Sequence, residues 1–158
     1  MRNKGRIIAL DVRPKKLQEL RRRATRAGAD TIESRLIDDR KVLKRMNGTG
    51  DRVLIDAPCT GTGALRRNPD IKWKLAPADL DRLIGIQRDL LRDYSALVKP
   101  GGKLIYATCS ILPSENEDQV RDFLKSSGDM WKLEAELKLR PGDHGADGFY
   151  AARLVKRA

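Results

Sequence analysis

The feature that most restricts what this chain can fold into is a series of short strand-like runs, each ended by an acidic residue or a thiol. "RIIAL" (6–10) stops at Asp11, "TIESRLI" (31–37) at Asp38, "RVLI" (52–55) at Asp56 and "KLIYAT" (103–108) at Cys109. Between them lie stretches with helical spacing. Pro14 opens one in which Leu17, Leu20, Ala24 and Ala27 recur, and Gly28 stops it. A longer one covers about 79–98, with Leu80, Leu83, Ile84, Gln87, Leu90, Leu91, Tyr94 and Leu97 on or near one stripe. Strands alternating with helices predict an α/β fold with a largely parallel sheet.

The second half continues the pattern. "KPGG" (99–102) reads as a turn, and Ser114 with Glu117 resembles a capping box for a helix carrying Val120, Phe123 and Leu124. "WKLEAELKL" (131–139) alternates with period two, and "GFYAARLVK" (148–156) reads as a closing strand. A length of 158 residues suits a single domain, residues 1–158. The composition, 40% hydrophobic and 35% charged, is that of a folded chain rather than a disordered one. No apolar run approaches the roughly 20 residues of a membrane span, and the opening residues lack a signal peptide's apolar core. A formal net charge of +11 favours a polyanionic partner, with nucleic acid foremost and a merely solubilising surface as the bland alternative.

In parallel sheets, ligands bind beyond the carboxyl ends of the strands. Asp11, Asp38, Asp56 and Cys109 each follow a strand there, and Cys59 lies three residues beyond Asp56. All five would then share one rim, which core packing alone does not require. Asp11 could accept both hydroxyls of a ribose, or merely form an Asx turn or cap the helix at Pro14. Asp38 could hold an adenine amino group, with Asp39 as its competitor. No G-x-G-x-x-G loop precedes Asp11, and "GTGDRV" (48–53) enters a strand rather than a helix.

Cys59 and Cys109 are the only cysteines, and with no signal peptide they point to free thiols in a reducing, cytoplasmic setting. Two Cys and the lone His144 lack zinc-ligand spacing, so no metal is expected; His144, in "PGDHGADG", reads as a loop residue. The thiols could be buried and inert, could pair as a disulfide if their loops meet, or could include a nucleophile, since a thiolate near positive charge adds readily to electron-poor carbon.

"DAPCTGTG" (56–63), "RRNPDIKW" (66–73), "YATCSILPSENE" (106–117) and "HGADGFYAARLVK" (144–156) together resemble the Nop/Sun family of RNA (cytosine-5)-methyltransferases. The resemblance implies a Rossmann-like S-adenosylmethionine-dependent methyltransferase sheet, mostly parallel with an antiparallel last strand. It implies methylation of cytosine carbon 5 in RNA, ribosomal ahead of transfer RNA. Cys109 would be the nucleophile at carbon 6, Cys59 would assist release, and Asp56 would hydrogen-bond the ring at nitrogen 3 and the exocyclic amine. Asp11, Asp38, Asp56 and Pro58 would line the cofactor, and Arg66, Arg67 and Lys72 the RNA path. The target base would leave its stack to reach the thiols. The family's first strand and Gly-Gly-Lys loop, expected before "IIALD", have no counterpart here, so the chain reads as the C-terminal catalytic part of a larger enzyme, with unpaired strand edges where that strand would lie. The alternative is a non-catalytic RNA-binding module that keeps the fold.

Overall fold

A computed structural model describes residues 2–158, apart from the side chains of Arg40 and His144. The chain divides after Arg45 into two compact units. The first holds strand β1 (Ile7–Asp11), helix α1 (Pro14–Arg26), strand β2 (Ile32–Leu36) and the short helix α2 (Arg40–Lys44). β1 and β2 are parallel, with Ile7 opposite Ile32 and Asp11 opposite Leu36, so Asp11 and Asp38 lie at the same end of the pair. Pro14 sits in the first turn of α1, where its missing N–H costs nothing, and Arg23 and Arg26 occupy the last turn, where cations suit the helix dipole. Leu17 is the residue that α1 buries. Helix α2 has no counterpart in the sequence reading. Asp39 caps it by accepting from the Lys41 N–H at 3.1 Å.

The second unit contains β3 (Gly50–Asp56), the four-residue helix α3 (Ile71–Lys74), α4 (Pro77–Ser95), β4 (Val98–Thr108), α5 (Glu117–Ser127), β5 (Trp131–Leu139) and β6 (Phe149–Lys156). The sheet order is β3-β4-β6-β5. β3 and β4 are parallel, and β6 runs antiparallel to both of its neighbours. The expected mostly parallel sheet with an antiparallel last strand is thus found. β6 alternates as a two-sided strand must, with Tyr150, Ala152 and Leu154 almost wholly buried. These pack with Ile55, Leu91, Val98, Leu104, Tyr106, Val120, Phe123 and Trp131. Tyr106 and Tyr150 meet edge to face at 6.4 Å between ring centres, as do Phe123 and Trp131 at 5.6 Å.

Two local expectations are corrected. "KPGG" is not a turn between elements: it lies inside β4, at a register irregularity opposite Gly50–Arg52. Gly102 fits there because a Cβ would stand 2.8 Å from Val98 Cγ1 and 2.9 Å from the Lys99 carbonyl oxygen. Ser114 does not cap α5. It falls in a 3-10 turn (Pro113–Glu115), Asn116 takes the N-cap position without a side-chain cap bond, and the Ser114 carbonyl instead accepts from Gln119 Nε2 at 3.0 Å. Among the described residues β1 pairs with β2 alone and β3 with β4 alone, so each has one bare edge. No helix among the described residues is long and apolar enough to cross a membrane.

Candidate active site

Two parallel strands bring the thiols together. β3 ends at Asp56 and runs into the loop Ala57–Gly61, while β4 ends at Thr108 and passes directly to Cys109. The Ala57 N–H donates to the Ala107 carbonyl at 2.9 Å, so the pairing extends past Asp56. Gly61, at φ 72°, turns the first loop back in a conformation that favours glycine. The result is a Cys59 Sγ–Cys109 Sγ distance of 3.4 Å, with both thiols free and partly exposed. Of the alternatives the sequence left open, burial beyond reach and a formed disulfide are both set aside.

The thiols are chemically unequal. The hydrogen bond from Cys59 holds the Cys109 thiol down at about 7, against burial and the nearby charges of Asp56 and Glu115, which push it up. The same bond, joined by burial, drives Cys59 strongly upward. Cys59 therefore donates and Cys109 carries the charge. Reactivity follows the thiolate, so alkylation of Cys109 by iodoacetamide rises with pH through a midpoint near 7. Cys59→Ala removes the donor. The Cys109 midpoint should then climb towards the ordinary thiol value of roughly 8.5, as peptide-resolved mass spectrometry of alkylation against pH would read.

Several side chains that sequence reasoning did not assign hold the two loops. Glu115, wholly buried, accepts from the Thr60 N–H at 2.9 Å, the Thr60 hydroxyl at 2.5 Å and Gln87 Nε2 at 3.0 Å. Gln87 Nε2 also donates to the Pro58 carbonyl at 2.9 Å. Asn116 accepts from the Thr108 hydroxyl at 2.5 Å and donates to the Ser110 carbonyl at 2.9 Å. The signal for Gln87 was a polar residue on an otherwise apolar helical stripe. Glu115 and Asn116 gave none, because "SENE" matched a helix start equally well.

The remaining site candidates fall as follows. Asp56 is exposed at the end of β3, and Pro58 is exposed two residues on. In the first unit, Asp11 accepts from the Arg13 N–H at 2.8 Å through Oδ1, and its Oδ2 lies 4.0 Å from Lys16 Nζ. It therefore forms the Asx turn weighed against ribose binding, while α1 has no side-chain cap bond. Asp38 is exposed, and the local capping is done by Asp39. Arg66 and Arg67 both reach Asp147, at 3.4 and 2.6 Å, which offsets part of their charge. Lys72 lies 4.6 Å over the ring of Trp73, which is 80% exposed. An open pocket of about 430 Å³ beside them is lined by Arg67, Asn68, Pro69, Asp70, Ile71 and Lys74. His144 belongs to a 3-10 turn (Asp143–Gly145), and its side chain lies outside the described residues.

The sheet, with its single antiparallel strand inserted between β4 and β5, has the Rossmann-like fold of S-adenosylmethionine-dependent methyltransferases. The sequence model described as 16S rRNA methyltransferase RsmB/F matches residues 1–155, and the chain belongs to that family. It is 47% identical over 116 residues to ribosomal RNA small subunit methyltransferase B of Shewanella oneidensis, covering 67% of this chain and 27% of that protein. It is 33% identical over 174 aligned residues to the probable ribosomal RNA small subunit methyltransferase B of Bacillus subtilis, covering 99% of this chain and 39% of that protein. The chain thus spans well under half the length of these relatives. Among solved structures, PH0851 superposes with a TM-score of 0.92 at 35% identity, over 99% of this chain and 38% of that one. NSun6 from Pyrococcus horikoshii, solved with SFG, gives 0.86 at 26% identity, over 99% and 42%.

Proposed function

We propose that this chain carries catalytic machinery of an S-adenosylmethionine-dependent RNA (cytosine-5)-methyltransferase acting on ribosomal RNA. The observation that carries the reading is the pair of partly exposed thiols 3.4 Å apart, brought together by two paired strands. A single reactive cysteine would need no such partner.

Cys109 begins as the thiolate. It adds to carbon 6 of a cytosine drawn out of its stack. The new S–C6 bond pushes the C5=C6 electron pair onto carbon 5 and through the ring towards nitrogen 3. Asp56 hydrogen-bonds there, sharing a proton with nitrogen 3 and accepting from the exocyclic amine, so the developing charge is met as it forms. Once its sulfur is bound to carbon, Cys109 is a neutral thioether. The bond and the charge that raise Cys59 are then gone, burial alone opposes its ionisation, and its proton passes to solvent. Once carbon 5 has accepted a methyl group it carries a surplus proton, and the Cys59 thiolate takes that proton, directly or through water. The C5=C6 bond re-forms and the Cys109 thiolate departs. The coupling of the two sulfurs therefore supplies the order of events.

Asp11 Oδ2 and Asp38 are carboxylate oxygens suited to accept from ribose hydroxyls and an amine. Asp56 ends β3, and Pro58 stands on the loop that carries Cys59. When bound, S-adenosylmethionine supplies an electrophilic methyl group on a sulfonium. Arg66, Arg67 and Lys72 lie on exposed backbone beyond the Cys59 loop, on the path proposed for RNA. A ribosomal substrate is favoured over transfer RNA by the names of the relatives. The cytoplasm, where free thiols persist, is the compartment this reading requires.

The test is covalent capture. RNA containing 5-fluorocytosine blocks the final proton loss, so with cofactor present the protein should form an adduct that survives a denaturing gel. Failure of the full-length protein to form one on an RNA that it binds would count decisively against the reading.

A further inference from the structure

We propose that Glu115 and Asn116 form a two-residue bracket that sets the separation of the two thiols, each residue holding one of the two loops. Neighbours in sequence, they face different loops. Glu115 grips the Cys59 side through both the N–H and the hydroxyl of Thr60, the residue after the thiol. Asn116 grips the Cys109 side through Thr108 and Ser110, the residues on either side of that thiol. The bracket is itself fixed. The Tyr106 hydroxyl donates to the Glu115 carbonyl at 2.6 Å, and Gln87 ties Glu115 to the Pro58 carbonyl. Hydroxyls close the ring between the loops: Thr62 Oγ1 lies 3.1 Å and Thr60 Oγ1 3.4 Å from Ser110 Oγ. Glu115 and Asn116 are 0% and 4% exposed, so water does not compete for these bonds.

The chemistry of the donor set identifies the state of Glu115. Its three partners are an N–H, an amide NH2 and a hydroxyl, so the acceptor-only carboxylate satisfies all of them at once. A buried negative charge there opposes ionisation of Cys109, while the geometry that it and Asn116 enforce brings Cys59 close enough to favour it. The bracket thus has two separable actions of opposite sign. Both residues are positioning residues, acting through the loops. The inference takes the thiol pair of the proposed mechanism as its object, yet its readout needs neither RNA nor cofactor.

The experiment is the pH profile of Cys109 alkylation by iodoacetamide in the 158-residue chain, resolved from Cys59 by peptide mass spectrometry. Glu115→Gln keeps the shape and removes the charge. Its oxygen can still accept from Thr60 and Gln87, and its NH2 can donate to the Thr60 hydroxyl. The midpoint should fall, raising alkylation at pH 6 about threefold. Asn116→Ala and Thr108→Val release the Cys109 loop, so the thiolate loses its donor. The midpoint should rise by about one unit, lowering alkylation at pH 7 about fivefold. Thr108→Val preserves side-chain shape and carries the test if circular dichroism shows that Asn116→Ala has not folded. Shifts of opposite sign support the bracket. Unchanged midpoints, or shifts of the same sign in Glu115→Gln and Thr108→Val, overturn it.

Discussion

Cys109→Ser is expected to reduce methyl transfer to cytosine by at least about a thousandfold, with RNA affinity held within about twofold. The measurement is transfer of labelled methyl to a ribosomal RNA fragment by the full-length protein, alongside a binding titration. A hydroxyl at this position is not ionised near neutral pH and adds poorly to carbon 6. The Cys59 contact that brings the thiol down to about 7 cannot do the same for an alcohol. The effect on turnover should resemble that of Cys59→Ala, but the two variants part company on a gel. Cys59→Ala keeps a nucleophile and loses the group assigned to the last proton, so it should accumulate a covalent complex on unmodified RNA. Cys109→Ser should accumulate none. A reversed pattern would exchange the roles given to the two sulfurs.

Gly63→Ala is expected to lower stability by about 3 kcal/mol, at the upper end for overpacked sites, and to disturb both thiols at once. A Cβ at Gly63 would stand 2.1 Å from the Gly148 carbonyl oxygen, 2.6 Å from its carbon and 2.9 Å from the Cys109 carbonyl oxygen. All three are backbone atoms, so no side chain can swing away. Gly63 also donates to the Cys109 carbonyl at 2.9 Å and accepts from the Gly148 N–H at 2.8 Å. A methyl group here therefore pries the Cys59 loop from the start of β6 and from Cys109. Gly85→Ala is the matched control. It lies within α4 with nothing within 4 Å of the added carbon, and should stabilise by about 0.5–1 kcal/mol through helix propensity. Urea midpoints of the two variants should move in opposite directions.

The strands were legible because each strand-like run is bounded by an abrupt change to polar or turn-forming residues. The thiol pair was legible because a cysteine at a strand's carboxyl end occurs twice, in settings matching one family. Legibility failed where local chemistry was degenerate. "KPGG" contains the strongest turn formers, and Gly101 does take a left-handed φ of 72°, yet the segment bulges within β4 instead of ending it, because pairing resumes on both sides of the irregularity. Ser114 and Glu117 satisfy the spacing of a capping box, but the preceding 3-10 turn shifts the helix start to Glu117 and directs Glu115 and Asn116 towards the loops. Helix α2 consists of five residues, too few to show a period. For Asp11, an Asx turn and ligand binding ask the same thing of a carboxylate, and the structure gives one oxygen to the Arg13 N–H.

The place of β6 between β4 and β5 affects how the molecule comes into being. Of the six strands it leaves the ribosome last, yet it alone joins β5 to the rest, and the glycine that introduces it bonds to the loop following Cys59. During synthesis, β3 and β4 can associate early, but the sheet cannot close until these C-terminal residues emerge. The two sulfurs therefore gain their finished surroundings only once β6 has been made.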